Sequence, residues 1–152
     1  MESSFKARNS LEAQRALVPA GTVWGPAVGY SRAVRVGPFI YVAGTTAAAS
    51  GAESAAEGGA YEQTVCALQR IQEALRQLGA DLGDVVRTRM YVTDIGHWEE
   101  IGRAHGEFFG DVRPAATMVE VAALIEPDLL VEIEADAIAR DAPNAKHTEV
   151  ST

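Results

Sequence analysis

The stretch Leu130-Val131-Glu132-Ile133-Glu134-Ala135-Asp136-Ala137-Ile138-Ala139 alternates apolar and acidic residues from Val131 to Ala137. A period of two belongs to a strand whose successive side chains point to opposite faces. Val131, Ile133, Ala135 and Ala137 are therefore assigned to a core, and Glu132, Glu134 and Asp136 share the other face. A carboxylate held on a rigid strand beside a pocket is well placed to orient water, so Glu132 is the first candidate for chemistry. Just upstream, Arg113-Pro114-Ala115-Ala116-Thr117-Met118-Val119-Glu120-Val121 leads into a second strand over 115–123, and Glu126-Pro127-Asp128 separates the two.

Further out, residues 85–93 also alternate, with Val86, Thr88, Met90 and Val92 against Val85, Arg87, Arg89 and Tyr91. Two arginines on one strand face need acidic partners, and Glu120, Glu132 or Glu134 on neighbouring strands can supply them; the other reading is an anion site. Tyr30 to Val36 and Phe39 to Ala43 flank the turn pair Gly37-Pro38 and read as a hairpin, with Gly44 ending its second strand. From Ala60 to Leu78, Tyr61, Val65, Leu68, Ile71, Leu75 and Leu78 recur at helical spacing, and Gly79 is a suitable stop. Glu62, Arg70, Glu73 and Arg76 fall mostly on that helix's polar side. Asp94 offers an N-cap for a second helix with Ile95, Trp98, Ile101, His105 and Phe108 or Phe109 on its apolar stripe. Gly96, Gly102, Gly106 and Gly110 recur there, although each interior glycine costs roughly 1 kcal/mol relative to alanine. Close approach of another backbone would account for them. The expected order is strand, strand, helix, strand, helix, strand, strand.

With 152 residues the chain suits one domain, 21–140, between a flexible N-terminal extension, 1–20, with a helical turn across Leu11 to Leu17, and a flexible tail, 141–152. The Ala-, Ser- and Gly-rich run from Ala47 to Gly59 reads as a loop that could lie over a pocket. The composition is 47% hydrophobic and 22% charged, that of an ordinary globular protein. No apolar run approaches the roughly 20 residues that span a bilayer, so no membrane role is expected. The N-terminus lacks the apolar segment of a signal peptide, which makes a cytoplasmic location the expectation. A net charge of −8 and no Lys/Arg cluster disfavour nucleic acid as a partner. The lone Cys66 cannot form an internal disulfide and reads as a small packed or surface residue.

No GxxxxGK[ST], GxGxxG or GxSxG pattern is present, so no cofactor and no acyl-transfer serine are expected. His97, His105 and His147 are too scattered for a metal site, and alternating acids on a strand are more often its wet side than a cation cage.

From Tyr30 to Arg140 the chain resembles the Rid superfamily, named for reactive intermediate deaminases and often labelled endoribonuclease L-PSP. The residues that carry the resemblance are Gly29-Tyr30-Ser31-Arg32, the run from Val36 to Gly44, the run from Val86 to Asp94, Phe108-Phe109, Val119-Glu120-Val121 and Val131-Glu132-Ile133-Glu134. The resemblance implies an α+β, chorismate-mutase-like fold with a mixed sheet covered by two helices. It also implies a homotrimer with a pocket between neighbouring subunits, taking a small-molecule substrate or ligand. In the deaminating members an arginine holds the substrate carboxylate, while a glutamate and backbone groups orient water toward an imine carbon. By position the resemblance makes Glu132 that glutamate, Tyr30 the pocket tyrosine, Trp98 an aromatic wall, and Ala43 the small residue where deaminases often have serine.

The arginine does not carry over. Its slot holds Ala116, three residues after Arg113, while Gly102 replaces a frequent asparagine and Met118 a cysteine. Losing a charge-assisted contact of that kind removes something like 1.5 to 3 kcal/mol of binding. Either Arg32, Arg103 or Arg113 reaches in as a replacement, or the ligand is less anionic or larger. The functional expectation is a Rid-like hydrolase acting on a reactive enamine, imine or related C–N intermediate. The alternative is a noncatalytic small-molecule-binding trimer; ribonuclease action follows only from the older label and is disfavoured by the acidic balance.

Overall fold

The computed structural model describes residues 15–48 and 58–140. In chain order its elements are β1 Arg15–Pro19, α1 Trp24–Val28, β2 Ser31–Val36, β3 Phe39–Thr45, α2 Ala60–Gln77, β4 Val85–Val92, α3 Trp98–Phe109, β5 Ala115–Glu120 and β6 Val131–Ile138. Single 3₁₀ turns at Leu82–Asp84 and Ile95–His97 precede β4 and α3 respectively.

The six strands form one sheet in the order β1-β2-β3-β6-β4-β5. All neighbours are antiparallel except β4 and β5, and a parallel pair requires the crossover that α3 supplies. The last strand in sequence is thus central, between β3 and β4. Its alternation is realised in full: Val131, Ile133 and Ala135 are 0% exposed and Ala137 is 2%, whereas Glu132, Glu134 and Asp136 are half-buried. The apolar face packs beneath α2, whose buried stripe is Ala67, Leu68, Ile71, Ala74 and Leu75, with Ile101 and Phe109 of α3 beside it. The architecture is the expected α+β fold, a mixed sheet with two long helices on one face. Gly79 stops α2 in the left-handed conformation (φ 78°), and Gly37 (φ 58°) makes the β2–β3 turn. Among the described residues, no helix is long and apolar enough to cross a membrane.

Several expectations are corrected. Residues 15–19, read as extension, form an edge strand that pairs Leu17 with Val34 and Val18 with Ala33. Only Val18 of the five is buried, so β1 carries no periodic signal, and its terminal Pro19 is tolerated because it lies at an edge. The helical turn placed across Leu11 to Leu17 is therefore replaced at 15–17 by strand, and 11–14 lie outside the described residues. So do the tail 141–152 and residues 49–57 of the anticipated loop. In β4 a register slip between Val85 and Arg87 turns Val85 inward and leaves Val86 45% exposed, the reverse of simple alternation. Asp94 caps the 3₁₀ turn rather than α3, accepting a hydrogen bond from the Gly96 amide at 2.8 Å. Close backbone approach does not account for Gly102 or Gly106: a Cβ at either would meet nothing within 4 Å, and nothing in the structure explains these glycines.

Ile71, fully buried under the sheet, should cost about 2–5 kcal/mol when cut to alanine. Leu17→Ala, at a position 52% exposed, should change stability by no more than about 0.5 kcal/mol. Equilibrium denaturant unfolding of both variants checks the pair.

Candidate active site

The geometry around Glu132 begins with an irregularity in β3. Val42 opposes Ala135 while Thr45 opposes Ile133, so β3 spends one residue more than β6 and bulges at Ala43-Gly44. Glu132 lies next to this bulge, and its carboxylate crosses the face of Gly44. A Cβ at residue 44 would fall on the Glu132 carboxylate oxygen and lie 2.9 Å from Cδ. Glycine is required there to leave the acid its place, not to relieve the backbone.

The other acids on this face are engaged. Arg89 Nη1 lies 3.4 Å from Glu134 and 3.3 Å from Asp136, and the Tyr91 hydroxyl donates to Glu134 at 3.3 Å. Of the acidic company anticipated for the strand arginines, Glu134 is therefore confirmed; Glu120 instead accepts from the Ile95 amide, and Arg87 is exposed. Among the described residues nothing hydrogen-bonds to or pairs with the Glu132 carboxylate. Burial pushes its pKa above the ordinary glutamate range, Glu134 pushes it further, and Arg32 offsets part of the rise.

Glu132 opens into a cleft of about 520 Å³, within the range of small-molecule sites. Tyr30, Arg32, Ala43 and Gly44 line it, together with Thr22 and Trp24 from the segment around α1, Arg70 from α2, and Ile125 and Glu126 from the β5–β6 connection. Arg32 is only 8% exposed. Its Nη1 donates to Gly44 O at 2.7 Å and Thr45 Oγ1 at 3.0 Å, and its Nη2 to Ala20 O and Tyr30 Oη, both at 3.4 Å. The Tyr30 and Thr22 hydroxyls share a 2.8 Å hydrogen bond. A charged guanidinium thus braces the bulge, the tyrosine and the chain before α1 at once.

Four of the eight residues singled out from the sequence meet in this cleft: Glu132, Tyr30, Arg32 and Ala43. The other four do not within one chain. Trp98 heads α3 and is 56% exposed. Arg113 adopts a left-handed backbone (φ 51°) and donates to Gly110 O, away from the cleft. Ala116 and Met118 are in register with Thr88 and Met90, which places them on the helix side of the sheet, opposite Glu132. Arg103, the remaining candidate replacement, lies 4.3 Å over the Tyr61 ring. Sequence reasoning missed Thr22, Trp24 and Arg70. The available signal for Arg70 was its position four residues after Cys66 at the border of the α2 stripe, where both face the end of β3.

The family model described as Endoribonuclease L-PSP matches residues 22–139, which span the whole of this cleft. The chain is a member of the Rid superfamily. The chain is also similar to individual proteins over most of its length. It is 38% identical over 120 residues to the Streptomyces coelicolor protein SCO2049, covering 79% of this chain and 89% of that one. It is 33% identical over 109 residues to the human 2-iminobutanoate/2-iminopropanoate deaminase, covering 72% and 79%. Among solved structures, Rv2704 of the YjgF/YER057c/UK114 family from Mycobacterium tuberculosis superposes with a TM-score of 0.75 at 54% identity, covering 82% of this chain and 99% of that one.

The raised Glu132 pKa has a definite sign. The folded Rid domain holds this proton more tightly than the unfolded chain does, so the residue subtracts stability as pH rises through the interval above the ordinary glutamate value. Glu132→Gln should therefore be more stable than the parent at pH 7, and the gap should close below about pH 4. Denaturant melts at a series of pH values read this directly.

Proposed function

We propose that this protein is a hydrolase for a reactive imine or enamine, with Glu132 orienting and deprotonating the attacking water. Water adds to the C=N carbon as Glu132 takes one of its protons and passes it to the nitrogen, giving a carbinolamine; an enamine first becomes the imine by moving its N–H proton to carbon. Glu132 then carries the carbinolamine hydroxyl proton to the amino nitrogen, the C–N bond breaks, and ammonia and a carbonyl are left. The observation that carries the reading is the half-buried Glu132 carboxylate, without a hydrogen-bond or ionic partner among the described residues, on the wall of a ligand-sized cleft. A base with a raised pKa matches proton transfer near neutral pH better than an ordinary glutamate does. The relatives named as imine deaminases support the same chemistry.

The working unit in this reading is a homotrimer. The sheet face that carries Glu132 is not covered by the helices and exposes Phe39 (48%), Tyr41 (53%) and Ile138 (44%). Packing such faces against other copies would bury them and let one copy close the cleft of the next. Light scattering should then give about 48 kDa, three times 16.1 kDa.

A second reading, a binding protein without turnover, is favoured by one observation, the alanine at residue 116 in place of a bidentate cation. Imines generated by an amino acid oxidase from apolar, polar and charged amino acids decide between the two. Hydrolysis should be accelerated, and Glu132→Gln should lose about 100-fold or more. No acceleration by the parent protein across that panel leaves only the binding reading.

A further inference from the structure

Two guanidinium groups line the cleft, and among the described residues neither has a carboxylate partner. Glu126 and Glu132 share the lining, yet neither forms an ion pair with Arg32 or Arg70. The two cations differ in what they can offer a ligand. Both amino groups of Arg32 are spent on Gly44, Thr45, Ala20 and Tyr30. Arg70 commits Nη1 alone, to Thr46 O at 2.6 Å and Ala48 O at 2.5 Å. Its Nε and Nη2 have no partner among the described residues. These are the two donors that a guanidinium presents to a carboxylate in a side-on pair.

We propose that Arg70, reaching into the cleft from α2, binds the carboxylate of the ligand and replaces the cation missing at Ala116. The inference rests on the proposed function for the choice of a 2-oxo or 2-imino acid as that ligand. Carbonyl oxygens orient a guanidinium without cancelling its charge, so Thr46 and Ala48 hold Arg70 in place and leave it attractive to an anion. Arg32, in the same lining, adds to the positive field. Burial first and the Arg32 charge second weaken Arg70's hold on its proton. A bound carboxylate offsets both effects by its opposite charge, whereas a neutral ligand offsets neither. The cation has thus moved from the edge strand to the helix while keeping its chemical task, and the enzyme still takes an anionic substrate.

The test is binding rather than turnover. Chemical-shift titrations of the parent protein, Arg70→Gln and Arg70→Lys are made with 2-oxobutanoate and with its uncharged methyl ester. The parent should bind the acid at least tenfold more tightly than the ester. Arg70→Gln should weaken the acid tenfold or more with the ester unchanged, and Arg70→Lys should fall between. Equal binding of the acid by parent and Arg70→Gln, equal weakening of acid and ester, or a parent that does not prefer the acid would each overturn the assignment. If Arg70→Gln loses the acid while no imine is hydrolysed by the parent, the carboxylate site stands and the hydrolase reading falls. If imines are hydrolysed with unaltered KM in Arg70→Gln, the reverse holds.

Discussion

Burying Val131, Ile133, Ala135 and Ala137 beneath α2 obliges Glu132, Glu134 and Asp136 to share the opposite face of the central strand. Three acids within five residues repel one another, and the structure resolves the repulsion unevenly. Arg89 and Tyr91 on β4 take up Glu134 and Asp136. Glu132 lies opposite Tyr91, which points its hydroxyl at Glu134 instead, and its other neighbour is the bulge with Gly44. Taking an unpaired charge out of water is costly. The cost is tolerated here because the cleft leaves the carboxylate partly wet and Arg32 lies close enough to act on it. The reactive character of the site is thus a by-product of hydrophobic periodicity combined with a local shortage of partners.

The same constraint separates the functional residues by face. Glu132, Tyr30, Arg32 and Arg70 surround one cleft, while Ala116 and Met118 look toward the helices from the far edge of the sheet. A strand cannot present both faces to one cavity, so the equivalence of Ala116 to a clamp residue has meaning only for the cavity of another copy. The arginine on α2 is under no such restriction, because the helix passes over the end of β3 and its side chain is held there by Thr46 and Ala48.

What could be read from residues alone follows from which signals are periodic. β6, α2 and the β2–β3 hairpin repeat their pattern over enough residues to be recognised, and Glu132 was legible from its setting in β6, whereas Tyr30 followed only from the resemblance to the Rid superfamily. β1 buries one residue of five, and α1 is five residues long with Gly25 and Pro26 inside it, so neither repeats anything. Trp24 and Thr22 were lost with them. The slip at Val86 is a one-residue event that reverses two side chains without altering composition. Arg70 was hidden for a different reason: a charged residue beside an amphipathic stripe is ordinarily solvated, and only the path of the chain after β3 makes it a cleft residue.

Arg32 reaches across three separate pieces of chain, bonding to Ala20, Tyr30 and the Gly44-Thr45 bulge from a nearly inaccessible position. The outermost strand and the stretch that follows it are consequently fastened to the same bolt that shapes the floor under Glu132. Peeling β1 away would pull on Ala20 and, through the Arg32 guanidinium, on Tyr30 and the bulge. A strand with no periodic signal of its own therefore adjoins the brace of the cleft, although none of its five residues lines the cavity.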